Sequence, residues 1–185
     1  MDISPRHPKL VHLPLALALI TPLLSGALAL SWWRGWLPRR AWLIAAALQA
    51  LLTLSSFAAM QSGETDEREA KKVVSKHEIH EHEEAAERFL WATVAALALS
   101  IGAAVSQRER LALALAASTA AAAAASGFLA FDVGSRGGEL VYKYGAARAF
   151  MPAQATPAQG AEGQGAMQGQ GADADGDADE SHDER

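Results

Sequence analysis

Four long apolar blocks, separated by short or strongly charged segments, set the pattern of this chain. They run from Leu13 to Leu30, Ala41 to Met60, Phe89 to Val105 and Leu111 to Val133. A helix of about 20 apolar residues, rising about 1.5 Å per residue, crosses a hydrocarbon core of roughly 30 Å. The pattern predicts an all-α fold, an integral membrane bundle of four transmembrane helices. Pro14 fits a first turn, where its missing N–H costs nothing. Pro22 lies deep in the first block and is expected to kink or locally open that helix.

The connectors differ in kind. Trp32, Trp33 and Trp36 with Arg34, Arg39 and Arg40 make an interfacial connector of the aromatic-belt type, and Ser106 to Arg110 is a polar turn short enough to make blocks three and four antiparallel neighbours. The segment from Glu64 to Arg88 is not loop-like. It has no proline or glycine, and Glu67 with Lys71 and Glu84 with Arg88 stand at the i,i+4 spacing that supports a helix. We expect it to be a helical polar extension running straight into the third block. The fourth block is rich in small residues (Ala116, Ala120, Ala124, Gly127), which let helices approach closely in lipid and predict the packed centre of the bundle. Glycines at 134, 137, 138 and 145 predict that the following segment folds back over the bundle end. From Met151 to Arg185 the chain turns to Gly, Ala, Gln, Pro and Asp. This predicts a disordered acidic low-complexity tail (151–185) after a four-helix transmembrane domain (1–150).

An even number of crossings returns the chain to its starting side. His7 and His12 before the first block, Glu64 to His82 between the second and third, and Gly134 to Gly145 after the fourth should therefore share one face. Composition limits the chemistry available there. With no cysteine, disulfides, thiolate catalysis, iron–sulfur ligation and covalent c-type haem are excluded, so any metal must be held by His, Asp or Glu. The net charge of −5 comes from the polar segments, and no basic patch with interleaved aromatics points to nucleic acid. Arg6 and Lys9 with Ala27-Leu28-Ala29 imitate a cleaved signal peptide, but the first apolar run exceeds the usual roughly 7 to 15 residues of such a segment.

Within the charged helix, Val73, His77, His80, Glu84 and Trp91 share a face, whereas His82 points roughly 140 to 200° away and is expected to be solvated. His77, His80 and Glu84, joined by His12 or His7 and supported by Asp132 and Glu139, are the candidate nitrogen and oxygen set for a divalent transition metal. The competing reading is a solvated charged rim with no ligand. The cluster has neither the four-residue histidine spacing of zinc-protease helices nor the Glu-x-x-His pair of di-iron bundles. No histidine lies inside an apolar block, and His80 precedes Phe89 by roughly 13 Å of helix, so haem would have to sit at the rim. A transporter would need polar groups along a mid-membrane path, for which Thr53, Ser55, Ser100, Ser118 and Thr119 are the candidates.

Four short motifs stand at the ends of these blocks: His7-Pro8-x-x-Val11-His12-x-Pro14, Gly63-Glu64, His77-Glu78, and Gly138-x-Leu140-Val141-Tyr142-x-Tyr144-Gly145. Together they resemble an uncharacterised bacterial membrane family, domain of unknown function 2231, over about residues 5 to 147. The resemblance implies a four-helix membrane domain, in larger proteins sometimes joined to cytochrome-like modules, and hence envelope redox chemistry. It carries over no catalytic residues. Tyr144 stands where a histidine often occurs, and the acidic tail is an addition. The expected function is a non-enzymatic membrane component that binds a metal or haem at the rim or docks a redox protein or other membrane subunit there. The alternative is a cofactor-free scaffold or assembly protein. The expected location is the bacterial plasma membrane, with both termini outside the cytoplasm.

Overall fold

In a computed structural model of the chain, residues 10–150 are described. His7 and the tail 151–185 lie outside them. Helix α1 spans His12–Trp33, α2 Trp42–Ala70, α3 Lys76–Val105 and α4 Glu109–Tyr142, with single 3-10 turns at Arg39–Ala41 and Ala146–Phe150. The described residues contain no strand, and four of their helices are long and apolar enough to cross a membrane. Each helix packs on two neighbours in the cyclic order α1, α2, α3, α4, most extensively where α4 meets α3 and α1. Two apolar clusters mark the ends of the bundle. Leu17, Ala18, Leu52, Phe89 and Ala130 form one, and Trp32, Trp42, Ala45, Ala103, Ala112 and Ala116 the other.

The buried positions of α4 are Ala112, Ala116, Thr119, Ala123, Ser126 and Ala130, steps of four and three that keep one small-residue seam facing inward. Phe128 and Phe131 on the opposite face are about four-fifths exposed. Helix α4 is therefore one wall of the ring, not its centre, with small residues turned to its neighbours and phenylalanines to lipid. Helix α1 continues through Pro22 without interruption. Proline removes the N–H that would bond the Ala18 carbonyl, and in lipid another group must cover that oxygen. Helix α4 passes close to it. A Cβ added at Gly127 would stand only 3.2 Å from the Ala18 oxygen, so the bare glycine backbone can lie against it.

One turn inward from the first cluster, the same register brings Thr21, Gln49, Thr93 and Ser126 to one level, all buried. The Gln49 amide donates to the Thr93 carbonyl across the α2–α3 contact at 3.4 Å, and Thr53 donates to the same oxygen at 3.2 Å. Most of the other buried hydroxyls bond carbonyls of their own helix, as Thr119 does to Leu115 and Ser126 to Ala122. At the other end the Trp42 indole donates to the Ser100 carbonyl at 3.0 Å. Arg39 donates to the carbonyls of Ala103, Ala104 and Ser106, and so caps the C-terminus of α3 from another connector.

Two sequence expectations need correcting. The charged segment is not one helix running into the third block, because α2 ends at Ala70 and a turn separates it from α3. Ser75 caps the new helix, its hydroxyl accepting from the Glu78 N–H at 3.4 Å. The glycine-rich segment does not fold back at Gly134. Glycines 134, 137 and 138 are helical, and the chain turns only at Gly145, whose φ of +73° suits glycine. The 3-10 turn that follows packs against α2 and α4.

The Gly127 contact generates a paired test. Gly127→Val should drive its side chain into the Ala18 carbonyl and lower stability in detergent by about 1–3 kcal/mol. At Gly134 an added Cβ would lie 4.0 Å from Leu15, so Gly134→Ala should be neutral or gain up to about 1 kcal/mol from helix propensity. Thermal unfolding followed by circular dichroism reads both.

Candidate functional site at the polar end

A helix of 34 residues is about 51 Å long, well beyond the roughly 30 Å hydrocarbon core, so α4 projects past its apolar span. Residues 76–88 of α3 and 61–70 of α2 project at the same end. Between α3 and α4 lies a cleft of about 300 Å³, lined by Glu78 and Glu81 on one side and by Asp132, Ser135, Arg136, Glu139, Leu140 and Tyr144 on the other. Arg136 ties the walls together. One guanidinium nitrogen meets Glu81 at 2.9 Å, and its Nε meets Asp132 at 3.2 Å. These groups are partly exposed, so the bridge adds little to stability. Its effect is positional, setting how α3 stands against α4.

The structure divides the sequence-derived candidates between the outward face of α3, the start of α1 and the α4 wall of the cleft. His77, His80 and Glu84 share the outward face, as their spacing predicts. The His77 and His80 side chains are 75% and 67% exposed. His77 Nε2 is 3.4 Å from Glu81, and His80 Nε2 is 3.1 Å from Glu84. His12 is exposed at the first residue of α1. Asp132 and Glu139 lie instead on the cleft side, Glu139 beside Lys143 at 3.6 Å. Asp132 still reaches His77 through a chain of contacts, because Glu81 offers one oxygen to Arg136 and the other to His77. Among the described residues, no three His, Asp or Glu side chains are grouped so as to hold a metal ion.

His82 corrects the expectation of a solvated side chain. It is half-buried and packs on α4, where a Cβ at Gly137 would come within 3.2 Å of its ring. The reason lies in the neighbouring apolar residues. Ile79, Ala85 and Phe89 are the buried positions of α3 here, and helix geometry puts His82 on their side and His77 and His80 on the other. Sequence reasoning had the angle right and the inward direction wrong. It also passed over Glu81 and Arg136, which only the pairing of α3 with α4 brings together.

Beyond the membrane span, Glu67 of α2 and Glu83 of α3 form an acidic pair between the two helices. The Lys71 ammonium hydrogen-bonds Glu67 and holds it below the ordinary carboxylate value, whereas desolvation and then the neighbouring Glu67 raise Glu83. Glu83 therefore keeps its proton to higher pH than Glu67 does. Because its folded value is raised, the stabilisation from Glu83 is complete below the ordinary value of 4.5 and is lost as pH rises through the folded value. That from Glu67 is present above 4.5 and is lost as pH falls through its lowered value. Hydrogen exchange across residues 67–83, corrected for intrinsic rates, should lose protection as pH rises from 4.5 to neutrality. In Glu83→Gln, whose amide can donate at every pH, this loss should disappear.

The comparisons with known proteins bear on the whole bundle. No curated protein and no solved structure matches the chain. The model of a family described as "Predicted membrane protein (DUF2231)" matches residues 3–149, from before α1 to the 3-10 turn after α4. Four membrane-spanning helices with a charged, histidine-bearing end, matched over that length, place this chain in the DUF2231 family of predicted membrane proteins.

Proposed function

We propose that this protein is a non-catalytic docking or scaffold component of the bacterial plasma membrane, presenting the outward face of α3 to a partner. The observation that carries this reading is the division of labour on α3. Ile79, His82, Ala85 and Glu81 fasten its inner side to the bundle, leaving His77, His80 and Glu84 exposed on a helix that is capped, braced and raised above the lipid. Rigid presentation of exposed polar side chains suits recognition of another protein, a redox protein or membrane subunit among the candidates, and asks for no bound group.

A second reading keeps the same residues as ligands. His80 Nε2 and Glu84 already stand 3.1 Å apart one turn from each other, the arrangement a divalent transition metal uses when a further donor such as His12 or His77 completes the set. Haem at the rim would draw on the same histidines. The two readings separate on the purified protein. The docking reading expects a colourless protein with less than about one metal ion per ten chains, and a His77→Ala, His80→Ala variant whose stability changes by no more than about 0.5 kcal/mol, as for exposed positions. Stoichiometric metal or a haem spectrum that this variant abolishes would transfer the conclusion to the second reading.

We place the polar end, and with it both termini, outside the cytoplasm. Arg34, Arg39, Arg40, Arg108 and Arg110 crowd the two tight connectors, and basic residues in short connectors favour the cytoplasmic side. A reporter fused after Arg185 that is active only in the cytoplasm should be silent; activity there would reverse the orientation.

A further inference from the structure

At the end of the bundle opposite the cleft, the two connectors gather five arginines, Arg34, Arg39, Arg40, Arg108 and Arg110, against a single acid, Glu109. Arg39 is half-buried and committed to the α3 carbonyls. The other four are exposed, and among the described residues none of them pairs with a carboxylate. The charged helices at the other end behave differently. There Lys71, Lys72, Arg136 and Lys143 have acidic partners within the chain, and over residues 61–88 and 132–150 Asp and Glu outnumber Lys and Arg. An excess of unneutralised positive charge at one end attracts negatively charged partners from outside the chain.

The local geometry indicates which partner. The chain leaves α1 through a tight turn in which the Gly35 and Trp36 N–H groups bond back to Trp32 and Ser31, with Gly35 at a φ of +71°. This turn sets Arg34 between two indoles, its guanidinium carbon 5.2 Å from the Trp33 ring centre and 5.9 Å from that of Trp36. Stacking occupies the faces of a guanidinium and leaves its in-plane N–H edges, which match the paired oxygens of a phosphate. Trp33 and Trp36 are about two-thirds exposed and of the type that settles at headgroup depth. Phosphate at that depth belongs to the lipid.

We propose that the connector end binds anionic phospholipid headgroups, with Arg34 held between Trp33 and Trp36 as the centre of the site and Arg40, Arg108 and Arg110 supplying further charge. The interaction concerns the face opposite the histidines, so it stands or falls separately from the docking reading.

The test uses the full chain in mixed micelles, titrated with dioleoylphosphatidylglycerol or dioleoylphosphatidylcholine and followed by thermal unfolding and by quenching of tryptophan fluorescence with brominated forms of each lipid. Phosphatidylglycerol should bind at least about tenfold more tightly, and the preference should shrink with added salt. Each arginine removed should weaken it about fivefold, the equivalent of about 1 kcal/mol per basic residue near an anionic surface. Arg34→Gln with Arg40→Gln should therefore lose most of the preference, whereas Arg34→Lys with Arg40→Lys, which keeps the charge but not the planar fork, should lose only part. Lys71→Gln with Lys72→Gln at the other end should leave it unchanged. Inorganic phosphate should not compete at millimolar concentration; if it displaces the lipid, the site is one for free phosphate and the proposal fails. Equal binding of the two lipids by the unaltered protein, or a preference that survives Arg34→Gln with Arg40→Gln, would also overturn it.

Discussion

Inside a bilayer no water replaces a lost backbone partner, and this requirement governs how the helices meet. Pro22 costs α1 one internal hydrogen bond, that of the Ala18 carbonyl. Gly127 allows α4 to bring its backbone up to the same oxygen. The defect in one helix and the missing side chain in another are thus complementary. The small-residue seam of α4 extends this approach along the helix, with Ala112, Ala116, Ala123 and Ala130 all nearly inaccessible. Attraction between these helices comes from dispersion and from scattered interhelical hydrogen bonds, since expulsion of water cannot drive association in lipid. Gln49 with Thr93 and Trp42 with Ser100 supply such bonds at two different depths.

Above the lipid the rules change, and charge takes over from close packing. Arg136 joins Glu81 to Asp132, Lys71 steadies Glu67, and Glu83 lies beside Glu67. Each contact is modest in water, and together they brace an orientation of α3 that its buried residues Ile79, Ala85 and Phe89 set. Glu81 stands between the two environments, with one carboxylate oxygen toward His77 and the other toward Arg136.

The sequence carried the four spans plainly, because runs such as Phe89 to Val105 have few other stable states. It carried the shared face of His77, His80 and Glu84 as well, since helix periodicity alone determines that. The turn at Lys71 to Ser75 was legible but overlooked: Ser75 followed by Glu78 three residues later is the signature of a capped helix start. The side of α3 that faces the bundle was legible too, from the apolar series Ile79, Ala85, Phe89, had those residues been given precedence over the histidines. The helical course of Gly134, Gly137 and Gly138 was not. Glycine is as compatible with a helix end as with a loop, and what settles the matter is that His82 needs the room a bare Gly137 backbone leaves. The Arg136 bridge was equally out of reach, because partners 55 residues apart in the chain show no pattern in either segment alone.

The grip of Arg39 on the last carbonyls of α3 has a mechanical consequence. It stitches the loop between α1 and α2 to the loop between α3 and α4, so the two helical hairpins share a fixed base at the Trp/Arg end. At the far end the hairpins meet through the cluster of Leu17, Ala18, Leu52, Phe89 and Ala130, whereas the Arg136 bridge and the His82 ring seated on Gly137 lie within the second hairpin. The Trp/Arg end is thus a clasp between the hairpins, while the histidine-bearing end is braced mainly within the second of them.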